Sequence, residues 1–267
     1  MSLKIVVLAK QVPDTHNVGP DAMTAEGTIN RSALPAIFNP DDLNALEQAL
    51  QLKEKFPGST ITVVTMGLPK SADIIRESLY RGADAGYVVT DRCLGGADTL
   101  ATSYTLSQAI KKIGDYDIIL GGRQAIDGDT AQVGPQIAEH LDLPVISYAE
   151  DIKIDGDDVI VQRQYEDRYH IIKAKTPCLI TALSELTEPR YMTPGGIFDA
   201  VEQEITTYSR ADLVDVEDGD LGLNGSPTKI AKASDKVRKG AGEKVELDTP
   251  DESVDYIMDK LLTKHII

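Results

Sequence analysis

The sequence predicts an α/β fold. A mostly parallel sheet with helices on both faces is followed by an antiparallel strand segment and by a C-terminal arm with a terminal helix. Apolar runs typical of strands alternate with helical stretches from residue 5 to residue 141. After Pro144 the pattern changes, and Asp155–Asp158 is a hairpin turn signal. The segment 203–248 is polar and acidic and cannot bury a core of its own, which predicts an extended arm.

The parallel part begins with Ile5–Leu8, which is apolar throughout, as expected of a strand covered on both faces. Asn39 is a good N-cap and Pro40 suits the first helical position, so a helix begins there and ends at Pro57. Further strands are predicted at 61–66, 87–89 and 117–120, and further helices at 71–81, from Asp98 or Thr99 to about Ile113, and from Asp129 to about Leu141. This alternation predicts parallel strands joined by right-handed crossovers.

The second part is predicted to contain strands at 151–154, 159–163, 169–175 and 179–182. The chain ends in a helix that opens with a capping box at Thr249–Glu252. Its apolar residues share one face: Val254, Ile257, Met258, Leu261 and Leu262. We therefore divide the chain into an α/β domain at 1–202 and an arm with its helix at 203–267. That helix must dock on its own domain or on a partner.

The charge balance excludes several classes of function. Of 267 residues, 27 are Lys or Arg and 43 are Asp or Glu, which gives a formal net charge of -16. A general nucleic-acid binder or a polybasic membrane surface needs a basic face. No apolar run approaches the roughly 20 residues of a membrane helix, and the first strand is too short and too charged for a signal peptide. Two cysteines without ligand-like spacing predict no zinc site and a reducing, cytoplasmic location.

Candidate ligand contacts lie where predicted strands end, because open α/β sheets bind ligands at the carboxyl ends of their strands. The most informative segment is 121–134, in which Gly121 and Gly122 follow a strand and let a backbone approach a ligand closely. Gly128 then precedes the predicted helix start at Asp129, where free amides bind phosphate. An ordinary β-to-α connection, with Asp129 as helix cap, fits the same residues.

Catalytic machinery is not predicted. His16, His140, His170 and His265 are scattered, and no nucleophile has an evident base beside it. The sequence contains neither a Walker A motif nor a G-x-G-x-x-G after its first strand. A nucleotide pocket without an evident acid, base or nucleophile is typical of a protein whose bound cofactor carries the chemistry.

Several segments together resemble the beta subunit of electron transfer flavoprotein across nearly the whole chain. They are Val7–Asp14, Asn39–Pro40, Gly95–Thr102, Gln124–Pro135 and Glu188–Tyr191. The resemblance implies a Rossmann-like sheet of the adenine-nucleotide hydrolase type. The form of Gly128–Pro135, with Asp91 and Arg92 before the glycines, is more similar to the FAD-binding, electron-bifurcating type than to the type that holds AMP.

The resemblance further implies an electron carrier rather than an enzyme. It implies a heterodimer with an electron transfer flavoprotein alpha subunit, on which the arm and terminal helix dock. It also implies FAD, or alternatively AMP, in a pocket formed by Ala9, Lys10, Asn39, Pro40, Asp41, Asp42, Met66, Gly122, Arg123, Gln124, Ala125, Ile126, Asp127, Gly128, Asp129, Thr130, Ala131, Gln132 and Val133. Electrons pass between dehydrogenases and downstream acceptors.

The loop Glu188–Ile197 is implied to contact acyl-CoA or other dehydrogenases. It lacks the leucine anchor usual in the family, and Asp199–Glu202 replaces the basic run that commonly follows. Arg168 and His170 also depart from the family pattern. Two other functions fit the predicted fold. One is a free-standing adenine-nucleotide-binding module of the stress-protein kind, and the other is an ATP-dependent ligase or synthetase.

Overall fold

A computed structural model describes residues 1–14, 35–183, 187–228, 240, 242 and 244–267. The chain forms two compact units, Met1–Lys232 and Ala233–Ile267. The described strands are β1 (Lys4–Leu8), β2 (Gln11–Pro13), β3 (Ala36–Phe38), β4 (Thr60–Met66), β5 (Ala85–Val89), β6 (Ile118–Gly122), β7 (Val145–Asp155), β8 (Asp158–Tyr165), β9 (Arg168–Lys175), β10 (Cys178–Ala182) and β11 (Thr206–Tyr208). The described helices are α1 (Pro40–Lys55), α2 (Ala72–Arg81), α3 (Thr99–Ile113), α4 (Val133–His140), α5 (Pro194–Ala200) and α6 (Pro250–Thr263).

The first unit is built on one sheet with the strand order β11-β5-β4-β1-β6-β10-β7-β8-β9. From β11 to β7 all neighbours are parallel, and β7, β8 and β9 are antiparallel. The predicted mixed α/β architecture is therefore confirmed. Strand β1 lies between β4 and β6, so the strand order reverses there and the carboxyl ends leave a crevice.

Successive side chains of β1 point to opposite faces of the sheet, so they belong to two separate hydrophobic clusters. Ile5 and Val7 pack with the buried residues of α1 and α2, including Leu46. Val6 and Leu8 pack with α3 and α4 on the other face. Buried on both faces, the strand is apolar at four consecutive positions, as a central parallel strand requires.

Most predicted helix boundaries are confirmed. Asp98 is the N-cap of α3, and its Oδ1 accepts hydrogen bonds from the backbone amides of Leu100 (3.0 Å) and Ala101 (3.1 Å). Gly82 ends α2 with a φ of 117°, a left-handed conformation that favours glycine. Asn39 precedes α1, but its side chain makes no capping hydrogen bond.

The helix predicted to begin at Asp129 begins instead at Val133. Asp129 and Ala131 have positive φ values of 51° and 54°, which a right-handed helix cannot contain. Residues 129–132 therefore belong to a loop, and the prediction of Asp129 as helix cap was wrong. Strand β10 also differs from its expected place in the antiparallel part, because it returns between β6 and β7, parallel to both.

Part of the segment after residue 202 belongs to the first unit and packs on its sheet. Strand β11 adds to the edge of the sheet beside β5, and Leu213, Val216 and Leu221 are buried with the α3 face. The first unit thus extends to Lys232, beyond the division predicted at residue 202.

In the second unit, α6 opens with the predicted capping box. Thr249 Oγ1 accepts a hydrogen bond from the Glu252 amide, and Glu252 Oε2 accepts one from the Thr249 amide, both at 3.3 Å. Its apolar side chains at Val254, Ile257 and Met258 are exposed. Among the described helices, none is both long and apolar enough to cross a membrane.

Candidate functional site

A cleft of about 970 Å³ opens at the carboxyl ends of β4, β1 and β6, where the strand order reverses. Leu8, Met66 and Gly122 come from the ends of those three strands, and the loop after β5 forms a further wall. This volume lies at the upper end of the range for cofactor sites, about 300–1,000 Å³. The crevice predicted from the alternation of strands and helices is thus an open cavity.

Most of the predicted binding residues line this cleft. They are Ala9, Lys10, Asp42, Met66, Gly122, Arg123, Gln124, Ala125, Asp127, Gly128, Asp129, Thr130, Ala131, Gln132 and Val133. Asn39, Pro40, Asp41 and Ile126 are not among the lining residues. Segments that are distant in the sequence therefore converge on one cavity.

Asn39 supports the cleft from beneath. It is fully buried, its Nδ2 donates to the Gln124 carbonyl at 2.8 Å, and its Oδ1 accepts from the Ile126 amide at 3.1 Å. The same amide side chain thus satisfies both a donor and an acceptor of the loop after β6. Its role in the structure is to hold that loop rather than to face the cavity.

Asp42 joins the two strands at the floor of the cleft. Its Oδ2 accepts from the Lys10 amide at 2.9 Å, and its Oδ1 accepts from the Gly122 amide at 3.0 Å. Burial raises the pKa of this carboxyl from 3.8 to about 7, although hydrogen bonds from Asn39 and the two amides act in the opposite direction. One buried carboxylate therefore fixes the ends of β1 and β6.

Gly122 passes very close to the first turn of α1. A Cβ added at this residue would lie 2.5 Å from both the Asp41 carbonyl carbon and Asp42 Oδ1. Real Cβ atoms essentially never come so close to backbone, so a residue with a side chain here requires α1 or β6 to move. The glycine therefore allows β6 to pack closely against α1 at the floor of the cleft.

Cations at the cleft face acidic partners. Lys10 Nζ lies 2.6 Å from Asp127 Oδ1, and Arg123 Nε lies 3.6 Å from Asp41 Oδ2. The Lys10 side chain is half exposed, so it can turn towards an anion with little loss of burial. Because each of these cations is paired with a carboxylate, an anion in the cleft competes with Asp127 and Asp41 for them.

The loop after β6 leads directly into the start of α4. The amides of Gly128 and Asp129 donate to the Ala125 carbonyl at 3.2 and 2.9 Å, and Gln124 Nε2 donates to Asp129 Oδ1 at 3.0 Å. Gln132 then precedes α4 without making a side-chain capping bond. Val133 and Gly134 line the cleft.

The first turn of α4 therefore presents amides that no side chain caps, and such amides bind anions. They suit the phosphate of an adenylate group. The residues present thus fit a nucleotide of the kind that the resemblance implies, and the helix that follows the loop starts at Val133, not at Asp129.

One wall of the cleft was not among the predicted binding residues. Residues 91, 92 and 94–99, after β5, line the cavity. Thr99 Oγ1 donates to Gln132 Oε1 at 3.1 Å, which links this wall to the loop before α4. The signal for it was present in the sequence, because Gly95 and Gly96 follow a strand and precede the helix capped by Asp98. Such a segment must lie at the same edge of the sheet.

The loop Glu188–Ile197 is not among the segments that line the cleft. Its base is held by Arg190, whose guanidinium contacts Glu47 at 2.8 Å and Glu54 at 2.5 Å. Burial would raise the pKa of Glu47, but the hydrogen bonds from Arg190 outweigh it and hold that pKa below 4.5. Tyr191, beyond this anchor, is 88% exposed.

Comparisons with known proteins agree on one family. A family model for the electron transfer flavoprotein domain matches residues 26–213. The chain is 49% identical over 265 residues to the caffeyl-CoA reductase-Etf complex subunit CarD of Acetobacterium woodii. It is 48% identical over 265 residues to the electron transfer flavoprotein subunit beta of Clostridium acetobutylicum. It is 45% identical over 271 residues to the acryloyl-CoA reductase electron transfer subunit gamma of Anaerotignum propionicum. Each match covers 99% of this chain and 100% of the relative. The chain therefore belongs to the electron transfer flavoprotein family, and it is of the beta-subunit type.

Proposed function

We propose that this chain is the beta subunit of a heterodimeric electron transfer flavoprotein and holds the adenylate half of FAD in the cleft. The observation that carries the proposal is the uncapped start of α4, where Val133 and Gly134 line the cleft. FAD, when bound, accepts and donates the electrons. The chain binds and orients it, so none of its own side chains has to act as a catalytic acid or base.

In this proposal the two sides of the cleft have different tasks. The amides at Val133 and Gly134 bind phosphate, and Lys10 offsets the negative charge that the phosphates bring. Ala9 and Met66 offer apolar contact to the adenine ring. Asn39 and Asp42 act behind this surface by holding the backbone that the nucleotide contacts.

FAD is favoured over AMP because the cleft also includes the wall at 91, 92 and 94–99, beyond the residues assigned to the adenylate. With about 970 Å³ it offers space for more than an adenylate. The relatives named for caffeyl-CoA and acryloyl-CoA reductases support a role beside a CoA-ester reductase. We propose that the complex splits electrons between two flavins, with AMP as the alternative occupant in a carrier that has one flavin.

The partner in this proposal is an electron transfer flavoprotein alpha subunit. The exposed apolar residues Val254, Ile257 and Met258 share one side of α6 and need a covering surface in water. The loop 188–197, with its exposed Tyr191, is proposed to contact the dehydrogenase. The exposed free thiol of Cys93 is compatible with a reducing cytoplasm.

Substitution of Thr130 by leucine tests the phosphate assignment. Thr130 is exposed, lines the cleft and lies in the loop before α4, so a larger apolar side chain obstructs the phosphate without entering the core. We expect the purified two-subunit complex to retain clearly less nucleotide. Thr206→Leu, an equally exposed change on the edge strand β11, is the matched control. Equal nucleotide content in the two variants would contradict the assignment.

A further inference from the structure

The segment 209–228, here called the buttress segment, runs along the loop 91–98, here called the cleft wall. At the first end, the Arg210 amide donates to Asp91 Oδ2 at 3.0 Å. The other oxygen of Asp91 accepts from the Cys93 amide at 3.3 Å. The same carboxylate therefore caps the short turn of the cleft wall and also binds the buttress segment. Hydrogen bonds to these amides lower the pKa of Asp91.

The middle of the wall is in backbone contact with the buttress segment. The Leu223 amide donates to the Gly95 carbonyl at 3.1 Å. A Cβ added at Gly222 would lie 2.0 Å from the Cys93 carbonyl oxygen, and Gly222 has a φ of 53°, so the close approach and the backbone conformation both favour glycine. The side chain of Leu223 packs against Gly96.

The far end of the wall is fixed by Asp98. Its Oδ2 accepts from Thr228 Oγ1 at 2.6 Å and from the Thr228 amide at 3.1 Å, and its own amide donates to Ser226 Oγ at 2.8 Å. The other oxygen, Oδ1, caps α3. One carboxylate thus caps α3 and binds the buttress segment at Thr228.

The buttress segment has contacts that keep it in place independently of the wall. The Arg210 guanidinium donates to the carbonyls of Leu213 (3.1 Å) and Val216 (2.7 Å) and lies 2.5 Å from Asp218 Oδ1. Leu213, Val216 and Leu221 are buried against the α3 face. A segment anchored in this way can hold a glycine-containing loop that has few buried side chains of its own.

We propose that the buttress segment sets the shape of the nucleotide cleft by holding the cleft wall, and that Asp98 is its positioning residue. The proposal rests on the proposed function, because it assigns the wall to the nucleotide site. The affinity of the cleft for nucleotide then depends on Thr228, a residue 130 positions away in the sequence that is absent from the cleft lining. Asp98 itself acts through the wall and through the start of α3, where Thr99 and Thr102 also line the cavity.

The test uses the full chain in its two-subunit complex. Thr228→Val removes the hydroxyl donor to Asp98 and keeps the shape, while Thr228→Ser restores the donor. Thr207→Val, on exposed β11, is the matched control. Dissociation constants for AMP and FAD are measured by calorimetry, and hydrogen exchange of the 91–98 amides is followed without nucleotide. Loss of a charge-assisted hydrogen bond predicts about tenfold weaker binding in Thr228→Val.

We expect Thr228→Val to speed exchange in the wall and weaken binding of both nucleotides, with Thr228→Ser and Thr207→Val close to the parent. Asp98→Asn, which still caps α3, should have the same effect, and adding Thr228→Val to it should weaken binding no further. Unchanged exchange and unchanged affinity in Thr228→Val would overturn the inference. If the parent binds neither nucleotide, the proposed function fails. The exchange data alone then decide whether the buttress holds the wall.

Discussion

Asp42 shows how one buried side chain organises the site. Its carboxylate binds backbone amides from two adjacent strands and lies at the floor of the cleft, where the sequence predicted a nucleotide contact. The sequence predicts Asp42 as a nucleotide contact, and the structure shows that it also holds two strand ends together. A polar residue in the first turn of a helix looks the same whether it faces a ligand or the ends of neighbouring strands, and only the close approach of Gly122 decides between them.

The raised pKa of Asp42 predicts a specific pH dependence of stability. An unfolded aspartate titrates near 3.8 and the folded one near 7. Between pH 3.8 and about pH 7, Asp42 is therefore protonated in more of the native molecules than of the unfolded ones. The free energy of unfolding contributed by Asp42 therefore falls as the pH rises from 4 to 7 and is constant above. Asp42→Asn does not titrate and should lack this decline.

Thermal unfolding of the parent and of Asp42→Asn at pH 5, 6, 7 and 8 checks this prediction. Burial lowers the pKa of His140, which acts in the opposite sense over part of this range, but it does so equally in both proteins. The difference between the two melting temperatures therefore isolates Asp42. Parallel curves over the whole range would contradict the raised pKa.

At the scale of elements, the start of α4 shows what local patterns miss. Asp129 has the composition of a helix cap, yet its side chain accepts from Gln124 and its backbone is left-handed. The tertiary contacts of the loop with Asn39 override local propensity. Helices with strong caps and apolar periodicity, such as α3, were predicted correctly.

Short elements were missed for a related reason. The seven residues of α5 and the three of β11 have no measurable periodicity, and both depend on distant contacts. The Arg76 guanidinium donates to the carbonyls of Ala200 (3.2 Å), Val201 (3.3 Å) and Gln203 (2.6 Å) and so fixes the chain between them. Pairing of β10 between β6 and β7 likewise depends on the route of the chain, which a strand's own residues do not specify.

Gln132→Glu tests whether the start of α4 binds an anion. The substitution preserves shape and keeps an acceptor for Thr99, but places a negative charge at the helix N-terminus. Without nucleotide, that charge should leave the free energy of unfolding unchanged or raise it by about 0.3–1 kcal/mol. The melting temperature should follow in the same direction. It should repel phosphate and weaken AMP binding by about tenfold.

Titration of AMP into the variant complex, together with a thermal melt, measures both effects. Gln164→Glu, on an exposed part of β8, gives the same change of charge away from the cleft and serves as control. If Gln132→Glu and Gln164→Glu bind AMP alike, the helix start is not the phosphate site.

At the scale of the whole molecule, composition alone does not show which part of the chain after residue 202 packs with the sheet. The segment 203–248 is acidic and polar throughout, which predicts an arm, yet 206–228 includes an edge strand and three buried apolar side chains. A few such residues, spaced irregularly, are enough to attach a segment to an existing core but too few to be recognised in a hydrophobic pattern.

Truncation separates the predicted boundary from the observed one. A chain that ends at residue 228 keeps Leu213, Val216 and Leu221 and should melt cooperatively near the parent temperature. A chain that ends at residue 202 leaves Leu94 and Leu106 without their partners and should melt at a clearly lower temperature. Circular dichroism of both chains makes the comparison. Equal melting temperatures would show that residues 203–228 contribute nothing to the stability of the first unit.

The amounts of flavin and AMP released from the purified two-subunit complex test the central claim most directly. If the cleft at the ends of β1, β4 and β6 holds the adenylate half of FAD, each complex should release two flavins and no AMP. One flavin with one AMP would overturn the choice of FAD and leave the adenylate site in place. One flavin with no AMP would contradict the account, because this chain would then hold no nucleotide at all.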